Sequence, residues 1–230
     1  MPVFRLTDKI EFPDPILAEA GGLLAVGGDL SQERLLLAYK TGIFPWFSDD
    51  EPILWWSPDP RLVLFPKDLR ISGSLKKIIR KSVFRITMDT AFQQVISGCA
   101  APRDSQQPGT WINPRMIRAY TRLHRAGFAH SVEAWLEDEL VGGLYGLSLG
   151  NSFFGESMFS SVPNASKVAF VALVTELGQK GFGMIDCQVT TDHLLRFGAK
   201  EVARADFFNH LKHSMEQPTR RGIWRFDRSR

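Results

Sequence analysis

Two short apolar stretches carry polar residues in places where such residues need a reason. In Phe153-Phe154-Gly155-Glu156-Ser157-Met158-Phe159 a carboxylate interrupts an apolar run, and in Met184-Ile185-Asp186-Cys187-Gln188-Val189 a carboxylate and a carboxamide stand two residues apart. Both read as strands, and a period of two puts Phe154, Glu156 and Met158 on one face and Asp186 with Gln188 on one face. A carboxylate buried without partners is strongly destabilising. These residues therefore either form a structural hydrogen-bond network or position a substrate in a cleft where the sheet splays. Other chemistries find less support. The five histidines form no metal-ligand constellation, and the pair sharing a helix face, His210 and His213, reads as surface. Cys99 and Cys187 have neither metal-ligand nor thioredoxin spacing and read as reduced thiols, which points to the cytoplasm.

The elements that must hold these residues follow from the pattern along the chain. Ser31 can cap a helix over Gln32–Lys40, with Leu35, Leu36 and Tyr39 as its apolar stripe and Gly42 at its end. Prolines from Pro52 to Pro60 argue against a central strand in that segment. The dense Pro, Gly and Trp content up to this point predicts a small aromatic-rich domain over residues 1–62, followed by a second domain over 63–230. In the second, a helix is expected over Ser74–Lys81, a strand at 84–88, and a helix capped by Asp89 or Thr90. Asn113-Pro114 opens a further helix ending at Gly127. Strands over 131–136, 140–147 and 152–159 form an antiparallel meander, and Asn164 caps a long apolar helix ending at Gly181. A buried strand over Met184–Val189 comes next, with helices near 192–197 and 206–215.

This order predicts an α/β (α+β) chain whose C-terminal domain is GNAT-like (N-acetyltransferase-like), built on a central mixed sheet. Folds of that kind bind the pyrophosphate of coenzyme A through backbone N–H groups of a glycine-rich turn. Here the turn is Ser160-Ser161-Val162-Pro163-Asn164, which has no glycine, and Pro163 has no N–H to donate. A different activated acyl donor is the better reading.

Charge is informative through its placement. The formal net charge of +3 in 230 residues is unremarkable. Between Arg61 and Arg85, however, eight basic residues face one acid, Asp68. On the helix expected there, Lys76, Lys77, Arg80 and Lys81 make one basic face continued by Arg85, which suits phosphate contact. Arg115, Arg118, Arg122 and Arg125 make a second face, and Arg220, Arg221, Arg225, Arg228 and Arg230 add charge near the C-terminus. Trp111, in a loop before a helix, and Trp46, between Pro45 and Phe47, are either packed anchors or stacking platforms for a base. No run approaches the ~18–20 apolar residues of a membrane span, and the first residues do not read as a signal peptide.

Several motifs in order carry a resemblance. Gly42-Ile43-Phe44-Pro45-Trp46-Phe47, Trp55-Trp56-Ser57-Pro58-Asp59-Pro60-Arg61, Gly109-Thr110-Trp111-Ile112, Phe154-Gly155-Glu156-Ser157-Met158-Phe159-Ser160, Asn164-Ala165-Ser166-Lys167 and Ile185-Asp186-Cys187-Gln188 resemble the bacterial leucyl/phenylalanyl-tRNA–protein transferases. The resemblance runs from about Gly22 to beyond Asp206. It implies transfer of Leu or Phe, less well Met, from aminoacyl-tRNA to proteins with N-terminal Lys or Arg, marking them for degradation by the N-end rule. It implies no metal or nucleotide cofactor and no membrane partner. A monomer is expected, since no long apolar stripe is left over.

Residue by residue, the resemblance assigns catalysis to Asp186, Gln188 and Glu156. It assigns the aminoacyl side-chain pocket to Leu144, Phe153, Met158, Phe170, Leu173 and Ile185. Trp111 and Trp46 would stack at the adenine and acceptor end, and Lys76, Lys77, Arg80, Lys81 and Arg85 would contact acceptor-stem phosphates. An aminoacyl ester is already activated, so the site has to align the acceptor amine and stabilise the developing oxyanion. A carboxylate with the ordinary pKa of about 3.9 is a poor base for an α-ammonium near 8. Orientation by hydrogen bonds, with proton transfer through the tRNA ribose hydroxyl, is the expected role of Asp186 and Gln188. A coenzyme A-dependent acyltransferase and a non-catalytic RNA-binding module remain as other classes. The glycine-free turn argues against the first and the in-strand carboxylates against the second.

Overall fold

The computed structural model describes residues 3–101 and 111–226. Gly109 and Thr110 of the tryptophan motif, and Arg228 and Arg230, lie outside the described residues. Among the described residues the chain builds two sheets. The first comprises β1 (Phe4–Leu6), β2 (Leu23–Gly27), β3 (Phe44–Pro45) and β4 (Leu54–Trp56) in the order β1-β2-β4-β3, with α1 (Gln32–Lys40) beside it. Ser31 caps α1 by accepting from the Arg34 N–H. The proline-rich segment does contain a central strand, contrary to expectation. The three residues of β4 fit between Pro52 and Pro58, so none of that segment's prolines enters the strand and both of its edges pair.

The second sheet has seven strands in the order β11-β5-β10-β9-β8-β7-β6. These are β5 (Arg61–Leu64), β6 (Arg85–Met88), β7 (Ala129–Leu136), β8 (Glu139–Leu149), β9 (Ser152–Ser160), β10 (Met184–Gln188) and β11 (Lys200–Val202). The expected domain boundary between residues 62 and 63 falls within β5, which already belongs to this sheet. Helices α3 (Phe92–Ala100) and α4 (Pro114–Arg125) cover one face. Helices α2 (Gly73–Arg80) and α5 (Ala165–Gln179) cover the other, and α6 (Asp192–Arg196) and α7 (Arg204–Met215) complete the chain. This is the GNAT-like architecture, helix, helix, meander, helix, strand, helix, on a mixed sheet.

Within the large sheet β9 and β10 are the parallel neighbours, and they pair only over Ser152–Phe154 and Met184–Asp186. Beyond those residues the strands part, and the site lies in the gap. One apolar core joins the small sheet, α1, α3, α4 and α7, including Leu35, Tyr39, Phe44, Trp55, Tyr120 and Phe207. The first sixty residues are thereby fixed against the large sheet.

Several local expectations change in the structure. Strict alternation along β9 fails at Glu156. Tyr145 pairs with Ser157 and Gly146 with Gly155, leaving Glu156 as the extra residue of a β-bulge. Phe154 therefore packs with the α3–α4 core while Met158 packs on the α5 side, so the two do not share a face. Gly146 opposite the bulge has no room for a side chain, since a Cβ would lie 2.2 Å from the Phe154 carbonyl. Asp89 and Thr90 do not cap α3, and neither does Ala91 at the N-cap position. Asp89 accepts from the Ser131 N–H, and the Thr90 hydroxyl donates to buried Glu133, which also accepts from the Ala91 N–H. Asn164 stands at the start of α5 in a left-handed conformation, φ 72°, and its side chain accepts no helix N–H. The helix expected over Ser74–Lys81 is α2, Gly73–Arg80, with Ser72 as its cap.

His210 and His213 are exposed, as expected, whereas another histidine is structural. His130 is buried, stacks on Trp224 at 3.7 Å, and shares Asp89 with the Trp224 N–H. This contact ties the C-terminal segment to the sheet.

Candidate active site

A cavity of about 900 Å³ opens where β9 and β10 diverge. All six residues assigned to the aminoacyl pocket, Leu144, Phe153, Met158, Phe170, Leu173 and Ile185, line it. So do Trp46, Trp111, Glu156 and Gln188. The bulge brings this about, because the extra residue lets β9 turn Phe153 and Met158 toward α5 and Glu156 toward α1 and α4. Asp186 is not among the lining residues. It is fully buried, and its two oxygens accept from Arg61 Nε at 2.8 Å and Nη2 at 2.7 Å.

The Arg61 guanidinium is itself sandwiched between the Phe44 ring at 4.8 Å and the Phe207 ring at 4.6 Å. Arg61 closes the motif Trp55–Arg61, and that position was its one sequence signal. Counted there as part of a basic stretch, it is instead a buried link between β3, α7 and β10. Asp186 passes this support on. Its Oδ1 accepts from the Gln188 N–H at 2.9 Å, holding Gln188 at φ 64°, a left-handed conformation that costs a non-glycine residue about 1–3 kcal/mol.

Held this way, Gln188 donates through Nε2 to Glu156 Oε1 at 2.9 Å. Tyr39 donates to the same oxygen at 2.7 Å, Tyr120 donates to Oε2 at 2.9 Å, and the two phenols also meet each other. The chain has three tyrosines. The third, Tyr145, packs edge-on against Tyr120 at 5.5 Å. Placing Tyr39 in the apolar stripe of its helix was correct for its ring and missed its hydroxyl. Burial lifts the Glu156 carboxyl to about 7, partly offset by the hydrogen bonds from Tyr39, Tyr120 and Gln188, while the Asp186 charge adds to the rise. Among the described residues lining the cavity, Glu156 is the one carboxylate.

Cys187 also lines the cavity, but burial and the Asp186 charge push its thiol up, so it stays protonated and is no nucleophile. At the start of α5 the Ser166 N–H is already taken by Ser160 Oγ, and Ser161 bonds to the Val141 carbonyl through both its N–H and hydroxyl. A turn closed on itself offers little to a pyrophosphate.

The basic face is outside the cavity. Lys76, Lys77, Arg80, Lys81 and Arg85 are all exposed, and Arg85 lies over the Trp135 ring at 5.1 Å. The second arginine face is partly committed to packing: Arg122 donates to the Leu30 carbonyl and Arg115 stacks on Phe47. Arg220 and Arg221 likewise hold the carbonyls of Lys180 and Ala126.

A family model described as leucyl/phenylalanyl-tRNA protein transferase matches residues 63–212, and the model of that family's N-terminal domain matches 28–59. The chain belongs to this family. Leucyl/phenylalanyl-tRNA–protein transferases similar over their whole length include that of Anaeromyxobacter sp. (strain Fw109-5), 58% identical and covering 99% of this chain and 97% of that one. Those of Syntrophobacter fumaroxidans, 58% identical over 97% and 96%, and Nitrosomonas eutropha, 56% identical over 92% and 90%, are similar too. The chain is thus an aminoacyltransferase that uses aminoacyl-tRNA and acts on proteins. Among solved structures, L-PGS from Bacillus licheniformis is 11% identical with a TM-score of 0.41, covering 73% of this chain and 53% of that one. No helix of the described residues is long and apolar enough to cross a membrane.

Proposed function

We propose that this transferase moves Leu or Phe, and less well Met, from aminoacyl-tRNA to the α-amine of proteins that begin with Lys or Arg, and thereby feeds the N-end rule pathway. The observation that carries the reading is the cavity itself, an apolar pocket whose lining, among the described residues, includes one carboxylate, Glu156. An apolar pocket separates side chains one methylene apart by only about 1–3 kcal/mol, in keeping with loose selection among Leu, Phe and Met.

In this reading Glu156 and Gln188 meet the acceptor amine, and Asp186 is a positioning residue acting through Gln188. The α-ammonium passes one proton to Glu156, whose carboxyl near 7 is matched to that task. The freed nitrogen attacks the ester carbonyl, the C–N bond forms, and the C–O bond to the terminal ribose breaks. The second proton lost from nitrogen leaves on the ribose hydroxyl. Orientation by the fixed Gln188 amide supplies the rest of the rate enhancement.

The test uses labelled Leu-tRNA with peptides beginning in Arg, Lys or Ala. Labelling of the first two and not the third is expected; no labelling, or equal labelling of the Ala peptide, would overturn the assignment.

Trp111 and Trp46 at the cavity edge are assigned to the adenine and acceptor end. Stacking on an aromatic side chain contributes about 1–3 kcal/mol per base. Trp111→Ala is accordingly expected to raise KM for aminoacyl-tRNA roughly tenfold or more with kcat less affected, and an unchanged KM would remove the assignment. The exposed Lys76, Lys77, Arg80, Lys81 and Arg85 are assigned to acceptor-stem phosphates. Neutralising Lys77 and Arg80 together should flatten the salt dependence of tRNA binding by about one to two units of logarithmic slope. Equal slopes for variant and parent would exclude that face.

A further inference from the structure

The apolar pocket is backed by a part of the chain that the chemistry above does not use. Phe153 lines the cavity and is almost wholly buried. One edge of its ring lies on the bare α-carbon of Gly146 in β8, where a Cβ would stand 2.6 Å from Phe153 Cε1. Trp224 packs against the same ring, with centroids 6.2 Å apart and planes at 40°, yet it is not among the residues that line the cavity. It therefore stands behind Phe153, on the side away from the cavity.

Trp224 is held there with little freedom. His130 of β7 stacks on its indole at 3.7 Å, and Phe182, between α5 and β10, meets it edge-on at 5.7 Å. Its backbone N–H donates to Asp89 Oδ2 at 2.7 Å, and its Nε1 donates to the Arg220 carbonyl at 3.1 Å. The chain around it is tied down as well. Thr219 Oγ1 accepts from the Gly150 N–H at 2.9 Å, Arg221 donates to the Ala126 carbonyl at 2.9 Å, and the Arg225 carbonyl accepts from Lys180 Nζ at 3.3 Å. Residues 219–225 are thus a strap fastened to the turn between β8 and β9 and to the ends of α4 and α5.

In a close-packed interior, a ring with no space behind it does not recede. An apolar pocket selects by the fit of its walls. Too much depth leaves a void beside a small side chain, and too little excludes a large one. Leu and Phe differ in reach, and Phe153 is the lining residue whose position Trp224 backs.

We propose that Trp224 is a specificity-determining residue of this transferase, a positioning residue that acts through Phe153 by fixing the depth of the aminoacyl pocket. The strap over residues 219–225 thereby helps to decide which amino acid is taken from tRNA. This role deepens the function proposed above and rests on Leu and Phe being the transferred groups.

The experiment measures kcat/KM for Leu-tRNA and for Phe-tRNA, with an Arg-initial peptide as acceptor, in the parent, Trp224→Leu and Trp224→Phe. Trp224→Leu should raise the Phe-to-Leu ratio about tenfold, the low end for a one-methylene misfit in an apolar pocket, chiefly by loss with Leu-tRNA. Trp224→Phe keeps a ring between His130 and Phe182 and with it the fold, and it vacates less space, so the ratio should rise about threefold. KM for the peptide should match the parent's in both. A merely structural defect lowers use of both donors equally, and an unchanged or lowered ratio in Trp224→Phe overturns the proposal. In a Phe153→Leu background, adding Trp224→Phe should leave the ratio where Phe153→Leu sets it. A further threefold rise there would show that Trp224 does not act through Phe153. A parent that transfers neither amino acid would overturn the functional reading itself. A parent that transfers both, with a ratio the variants leave unchanged, would overturn this inference alone.

Discussion

Arg61→Met is expected to lower folding stability by about 3–5 kcal/mol, the usual effect of removing one partner of a buried ion pair. For a chain of this size that corresponds to a fall in melting temperature of roughly 6–20 °C. The substitution leaves Asp186 fully buried with both oxygens deprived of their donors from Arg61. It also removes the planar cation from between Phe44 and Phe207, the contact that joins the small sheet to α7. Adding Asp186→Leu should recover a large part of the stability, since two matched apolar groups avoid the unpaired charge. Activity should not recover with it, because the Gln188 N–H would lose its acceptor and the left-handed backbone its support. Urea titrations of the three proteins check this, and a loss below about 1 kcal/mol for Arg61→Met would show that the pair does not hold the site.

Glu156→Gln carries the largest expected effect on activity, a fall in kcat/KM of about 100-fold or more, the range for loss of a general acid–base group. The variant keeps the side chain's shape and most of its hydrogen-bonding capacity, so the fold should survive. Its effect on stability has a defined sign. The folded carboxyl is raised from its ordinary 4.5 to about 7, so between those values the folded state binds more protons than the unfolded one. Stability from this group is therefore present below about 4.5 and is lost as pH rises toward 7, and the variant should lack that loss. Melting temperatures of parent and variant across this window measure it, and parallel curves would exclude the raised carboxyl.

Much of this architecture was legible in the residues, and the exceptions share a cause. Local signals such as Ser31 before α1, Asn113-Pro114 before α4, and the turns between β7, β8 and β9 act within a few residues, and the structure keeps them. Asp89, Thr90 and Asn164 carry equally good local signals and are used otherwise. For the first two a distant partner won: His130, Ser131 and Trp224 claim Asp89, and Glu133 claims Thr90. The lining residues on the strands were readable as types, yet the alternation that should have sorted them by face breaks at Glu156. A bulge is set by the partner strand, where Gly146 yields the space, and one strand's pattern does not contain it. Arg61 illustrates the same limit for charge. Sequence places it in a basic run, whereas the fold removes it from that run and spends it on an aspartate 125 positions away.

The central claim is that Glu156, rather than Asp186, receives the proton of the acceptor amine. It is tested most directly by the pH dependence of Leu transfer from Leu-tRNA to an Arg-initial peptide, in the parent and in Glu156→Gln. Rates are expressed per protonated acceptor amine, the form that gives its proton to Glu156, so that the peptide's own titration drops out. The parent should show a rising limb with an apparent pKa near 7, and the variant a much lower rate without that limb. A variant that keeps both the limb and a rate within a few-fold of the parent would contradict the account.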